Sequence, residues 1–229
     1  MKSWDAYWNN KSLNRTIMGV WAARFVGTYD RYIVFKPDDV VLDFGAGNGD
    51  VSFLIRNKVH HIYLYDKAQS MSEALQKNFS GEKNMQVVSN LSEIRDKVSV
   101  ILVNSVIQYI PREEFNQILK DFKRIAQEGT CLVIADIIPR KYSLMGDFIG
   151  QLSLGLKYGF FIKLISFAVG TTRINAGMSL SPKHLIKYDQ EEILQMIEEN
   201  GFTGSLSPVN FTYSRKRYTI IAHCTRSGQ

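Results

Sequence analysis

Four apolar runs stand out along the chain, at residues 40–44, 62–65, 98–103 and 131–135, each short and bounded by polar or glycine-rich stretches. Runs of this length with no polar face predict strands buried on both sides, as in a parallel sheet. A shorter run at 85–88 lies between the second and third. Helical spacing fills the gaps. Residues 51–57 and 70–79 follow the first two strands, and 112–127 carries Phe115, Ile118, Leu119, Phe122 and Ile125 on one face before Gly129. Another helix is predicted at 190–200, stopped by Gly201. The chain closes with strand-like runs at 206–213 and 218–225 around a polar turn at 214–217, which predicts a hairpin. Alternating strands and helices give a parallel α/β sheet with right-handed crossovers, and the hairpin adds one antiparallel strand.

No repeat, low-complexity stretch or Pro/Gly linker divides the 229 residues, so one domain spanning 1–229 is expected. Within it, residues 1–35 form a helical cap and 140–187 a helical insert or lid. Between 142 and 170, Leu144, Met145, Phe148, Ile149, Leu152 and Leu156 repeat at helical spacing, and a second apolar patch runs from Phe160 to Phe167. Asp147, Lys157 and Lys163 interrupt the run, so no transmembrane segment is expected. A lid over a pocket is the plainest reading, with a peripheral membrane contact or a homodimer interface as alternatives.

The segment Val40-Val-Leu-Asp-Phe-Gly-Ala-Gly-Asn-Gly-Asp50 carries the chemistry. A buried strand runs into Gly45, Gly47 and Gly49, and a helix opens directly after, so backbone N–H groups can approach a ligand. A dinucleotide fingerprint counted from Gly45 needs glycine at position 50, which is Asp50, and no Gly-Lys-Ser/Thr marks a P-loop. Asp43 ahead of the glycines would repel a pyrophosphate but suits a cationic head. Asp66 ends the second strand about 20 residues on, where an acid can take both ribose hydroxyls. The pattern is that of a nucleoside site without a phosphate clamp.

On these residues the chain resembles the class I S-adenosylmethionine (SAM)-dependent methyltransferases, small-molecule type, from about residue 40 to 225. VLDFGAGNGD is similar to the family's first motif, which implies that Asp43, Gly45, Ala46, Gly47 and Gly49 line the donor. Asp66 in IYLYDKA matches the ribose acid, with Lys67 beside it. The resemblance further places Asn104, Ser105 and Val106 of the fourth-strand motif along SAM, with Leu91 and Tyr7 also around it. It implies a doubly wound, seven-stranded, mostly parallel sheet whose last strand is antiparallel. One departure concerns the adenine: where the family usually has an aspartate, this chain has Asn90, whose amide oxygen is a neutral and weaker acceptor.

Methyl transfer from a sulfonium requires alignment of the nucleophile and exclusion of water, and a base only where the acceptor must lose a proton early. Tyr109, Asp136 and His184 are the catalytic candidates. Asp136 ends the fifth strand, to orient or deprotonate the acceptor or simply to cap a turn. His184 follows the insert. The Asn/Asp-Pro-Pro-aromatic motif of amino-methylating nucleic-acid enzymes is replaced by Asn104-Ser105-Val106-Ile107, and no carboxylate cluster past the fifth strand suits a metal.

Charge sharpens the picture slightly. The net charge is +6, with Arg140-Lys141 and Arg215-Lys216-Arg217 standing apart from the mixed surface. Strand directions put both clusters at the ligand face, which favours a small-molecule acceptor with an anionic and an apolar part. An RNA methyltransferase, favoured by the charge but lacking any RNA-binding module, and a non-catalytic SAM-binding protein are the alternatives. With two cysteines and an N-terminus lacking the apolar core of a signal peptide, the chain is expected to be cytoplasmic, its thiols reduced.

Overall fold

A computed structural model of the protein describes residues 11–141, 185–214 and 216–226, with side chains from residue 19 onward in the first stretch. Tyr7, His184, Arg215 and the apolar run 142–170 fall outside the described residues. Seven strands form one sheet: β1 (Val40–Phe44), β2 (His61–Tyr65), β3 (Met85–Val87), β4 (Val98–Asn104), β5 (Ala126–Ile137), β6 (Phe202–Leu206) and β7 (Tyr218–Cys224). Their order is β3-β2-β1-β4-β5-β7-β6. β7 pairs antiparallel with both β5 and β6, and the pairings among β1 to β5 are parallel. The helices are α1 (Lys11–Tyr32), α2 (Asp50–Ile55), α3 (Gln69–Phe79), α4 (Arg112–Ile125) and α5 (Gln190–Glu199).

The sheet is covered on both faces, as the continuous apolar strands require. In β4, Ile101 and Val103 face the core under α4 and α5, while Val100 and Leu102 face the core under α1, α2 and α3. Phe115, Leu119, Phe122 and Ile125 of α4 are all buried, as their spacing predicts. Met71, Leu75 and Phe79 lock α3 down in the same way.

Two boundaries differ from expectation. α4 ends at Ile125 and runs straight into β5, so Gly129 lies within that strand, at φ 80, and does not stop the helix. The pairing of β5 with β4 slips between Val98 and Val100, and Thr130 Oγ1 closes the irregularity by accepting from Gln127 N–H at 2.9 Å and donating to Val98 O at 2.6 Å. The second correction is larger. The sixth strand is 202–206, not 206–213. Pro208 can give no N–H to a ladder, and Phe211 leaves the strand plane to become fully buried against Phe25 and Tyr29 of α1. Residues 207–214, with 216 and 217, therefore lie in a long connection at the carboxyl ends of the strands, in place of a tight hairpin turn.

Cys131 pairs in register with His223, so Cys224, one residue on, projects from the opposite face. Each thiol belongs to a different core, and both are free. Among the described residues no helix is long and apolar enough to cross a membrane, and no three His, Cys, Asp or Glu side chains gather in a way that could hold a metal ion.

Candidate active site

Strand order reverses between β1 and β4, and ligands of such sheets bind in the crevice at the carboxyl ends of those strands. The glycine loop sits there. Gly45, Gly47 and Gly49 all have positive φ, at 77, 56 and 76 degrees. The reasons for glycine differ among them. A side chain on Gly45 would collide with Val106, and one on Gly49 with Phe79. Among the described residues, a Cβ on Gly47 would meet nothing within 4 Å, so this residue borders space that they leave open. Gly45 N–H and Ala46 N–H bind Tyr65 O at 2.8 and 3.0 Å, tying the loop to the end of β2.

Asp66 completes this edge. Its Oδ2 accepts from Gly47 N–H and its Oδ1 from Ala68 N–H, both at 2.9 Å. Burial nevertheless pushes its carboxyl above the ordinary range, against those two hydrogen bonds. Asp43 is deeper. It accepts from Ser52 Oγ at 2.6 Å and so anchors the first turn of α2 beneath the loop. Burial pushes its carboxyl up to about 6, partly offset by the Ser52 hydroxyl. Ser52, fully buried, is a partner that the motif alone did not reveal. Lys67 is exposed and pairs with Glu114 at 2.6 Å. Asn90 is exposed and its Oδ1 caps the 3-10 turn at Leu91–Glu93 by accepting from Ser92 N–H at 2.9 Å. Leu91 is buried in the core beside it.

After β4 the chain turns sharply. Ser105 adopts φ 60 and its N–H binds Ala135 O at 3.1 Å. Its Oγ, 3.5 Å from Asn104 Oδ1, donates to Asp136 Oδ2 at 2.8 Å. Gln108 is buried and donates to Ser105 O at 2.9 Å. Tyr109, in the short 3-10 turn Ile107–Tyr109, is 39% exposed at this edge.

Asp136 lies in a β-bulge: the pairing of β5 with β7 shifts between Ile134 and Ile137, and Asp136 takes φ 68. The bulge turns its carboxylate into a nest of protein donors. Thr212 Oγ1 donates to Oδ1 at 2.5 Å, while Ser105 Oγ and Arg217 Nη1 reach Oδ2 at 2.8 and 2.5 Å. Both oxygens are thus engaged, one of them by a guanidinium, so neither is left open toward an acceptor. Asn210 organises the donors, accepting from Thr219 Oγ1 at 2.8 Å and donating to Thr212 Oγ1 at 2.7 Å and Ser214 O at 2.9 Å. Asn210 and Thr212 went unread in the sequence because they sit in an apparent strand. An asparagine two residues after Pro208 was the available sign of a loop.

Of the two basic clusters, Arg140, Lys141, Lys216 and Arg217 are described, and they lie at this face. Arg140 pairs with Asp189 at 2.8 Å and Glu192 at 2.9 Å, and Arg217 pairs with Asp136. Arg112 also binds Glu192, at 2.5 Å, and holds that carboxyl down at about 2.

Residues 41–129 match the protein family described as "Methyltransferase domain". Over that stretch, from β1 into the start of β5, the chain is similar to that family. Solved structures agree on its fold. The magnesium protoporphyrin IX methyltransferase ChlM of Synechocystis PCC 6803, solved with bound SAH, aligns over 99% of this chain and 89% of its own at TM-score 0.52 and 16% identity. PigF, solved with SAH, aligns over 96% of this chain and 61% of its own at TM-score 0.63 and 15% identity. The pyocyanin biosynthetic protein PhzM covers 98% of this chain and 62% of its own at TM-score 0.62 and 12% identity. No curated protein matches the chain by sequence. At these identities the likeness is one of architecture, and a fold shared by 1203 matching chains does not choose an acceptor.

Proposed function

We propose that the chain transfers a methyl group from SAM to a small-molecule acceptor by in-line displacement. The observation that carries this reading is the open space over Gly47, backed by the Asp66 carboxylate 2.9 Å from its N–H at the carboxyl end of the sheet. The family match and the SAH bound to ChlM and PigF support it. The residues fit the donor: glycines give backbone approach, Asp66 retains lone pairs for ribose hydroxyls, and no phosphate clamp is present in the loop. SAM supplies a methyl already activated on a sulfonium.

The chain's own residues then have to hold, align and dehydrate. Gly45, Ala46, Gly47 and Gly49 shape the loop, with Asp43 bracing it through Ser52. Asn104 and Ser105 lie along the donor, and Tyr109 borders the acceptor side. Tyr109, exposed there, is the described residue best placed to orient an acceptor, and His184 stays a candidate from the sequence. Asp136, whose oxygens are taken by Ser105, Thr212 and Arg217, serves this reading as scaffolding and not as a base. Arg140 and Arg217 are already paired, so an anionic acceptor group rests on the exposed Lys141 and Lys216. A cytoplasmic location belongs to the same reading.

Titration calorimetry with SAH tests the donor site. Wild type is expected to bind, and Asp66→Asn to bind about tenfold more weakly, the cost of a charge-assisted hydrogen bond. No heat with either SAM or SAH removes the reading. Labelled SAM offered to small molecules and to RNA separates the acceptor classes, and label in RNA replaces the small-molecule part.

A further inference from the structure

The ion pair between Asp136 and Arg217 is nearly buried, its side chains 9% and 14% exposed, and it joins the bulge in β5 to the loop 207–217. Neither a catalytic base nor a solubility role accounts for it. A base would keep an oxygen open to substrate, and a solvated rim would keep its guanidinium in water. The contacts lead elsewhere. Arg217 and Ser105 meet on the same oxygen, Asp136 Oδ2, at 2.5 and 2.8 Å. Ser105 sits at φ 60, a region costly for a residue with a side chain, and so does Asp136 at φ 68. Such conformations persist where surrounding bonds over-determine them, and Asn210, Thr212 and Arg217 provide those bonds. The residue after Ser105 is Val106, whose side chain fills the space a Cβ on Gly45 would need. A shift at Ser105 therefore moves Val106 against the glycine loop.

The geometry points to Arg217 and Asp136 as positioning residues for the donor site, acting through Ser105 and Val106 on Gly45. The inference rests on the SAM-binding reading above. It assigns to the loop between β6 and β7, some 170 residues from the glycines in sequence, control over how well the donor fits.

The test is SAH affinity, by calorimetry, in Arg217→Gln, Asp136→Asn, the double variant and Arg217→Lys. Each of the first two is expected to weaken SAH about tenfold, and the double variant to be no worse than about threefold below the weaker single, since both act through one contact. Arg217→Lys keeps the charge without the fork and recovers part of the loss. Lys123→Met is the control for general loosening. Lys123 clamps Gly201 O at 3.2 Å and Thr225 O at 2.6 Å at the other end of the sheet, so its loss lowers the melting temperature and leaves SAH affinity unchanged. Should Arg217→Gln not fold, Thr212→Val removes a single bond to the other Asp136 oxygen and is expected to weaken SAH by about threefold. SAH binding at wild-type strength in the Asp136, Thr212 and folded Arg217 variants, or equal weakening in Lys123→Met, overturns the inference while wild-type binding stands. Wild-type protein that binds no SAH overturns the donor reading and this inference together.

Discussion

The glycine loop and the 207–217 loop meet near the same edge of the sheet, yet they are held in opposite ways. The first is made of backbone: Gly45, Ala46 and Gly47 use their N–H groups on Tyr65 O and Asp66, at most 20 residues away. The second is made of side chains that reach 74 to 81 residues back to Asp136. It is also pinned by one apolar anchor, Phe211, edge-on to Phe25 at 5.6 Å and Tyr29 at 6.4 Å. The lesson is that a ligand edge can be prescribed by local chain geometry while its opposite wall depends on a distant polar cluster. Errors in the first should show in binding alone, and errors in the second in both stability and binding.

The largest expected effect breaks the second region. Phe211→Ala removes a fully buried ring and is expected to cost about 3–5 kcal/mol, read from denaturant midpoints. A loss under about 1 kcal/mol would mean that the polar cluster holds the loop unaided. Next comes the first region. Gly45→Ala must place a Cβ against Val106 at φ 77, so the loop moves, and SAH affinity is expected to fall roughly a hundredfold. Unchanged affinity would show that the loop has slack. The smallest effect lies at the exit of the insert, where Arg112 and Arg140 hold the Glu192 carboxyl at about 2, below its ordinary 4.5. A depressed acid stabilises the fold above its unfolded value, and that stability drains as pH falls from about 4.5 toward 2. Glu192→Gln should therefore be less stable than wild type at pH 6, with the gap narrowing as the solution is acidified through that window. A gap that stays constant would show that the pair contributes no charge-linked stability.

The same contrast explains what was legible in the chain. Parallel strands buried on both sides announce themselves as unbroken apolar runs, and β1 was read to the residue. The strand-turn-helix edge that joins Asp43, the three glycines and Asp66 was legible because its spacing is local. The sixth strand was not. Phe202-Thr-Gly-Ser-Leu206 is polar because it lies at the sheet edge, and Gly204 is needed there since a Cβ would press on Ala222 at 2.9 Å. The more apolar Leu206-to-Tyr213 stretch mimicked a strand because Phe211 serves a helix core. Asp136 was found as a residue but not as part of a cluster, since no periodicity connects position 136 with 210, 212 and 217.

The two cysteines have a practical consequence. Cys131 is buried, with its thiol pushed up to about 12 by desolvation, and Cys224 is buried behind the opposite face. Neither is poised to react with maleimides in the native protein. A single cysteine introduced at the exposed position Lys216 would then take a fluorophore selectively, without first stripping the native thiols, and would report on ligand-linked motion of the wall opposite the glycines.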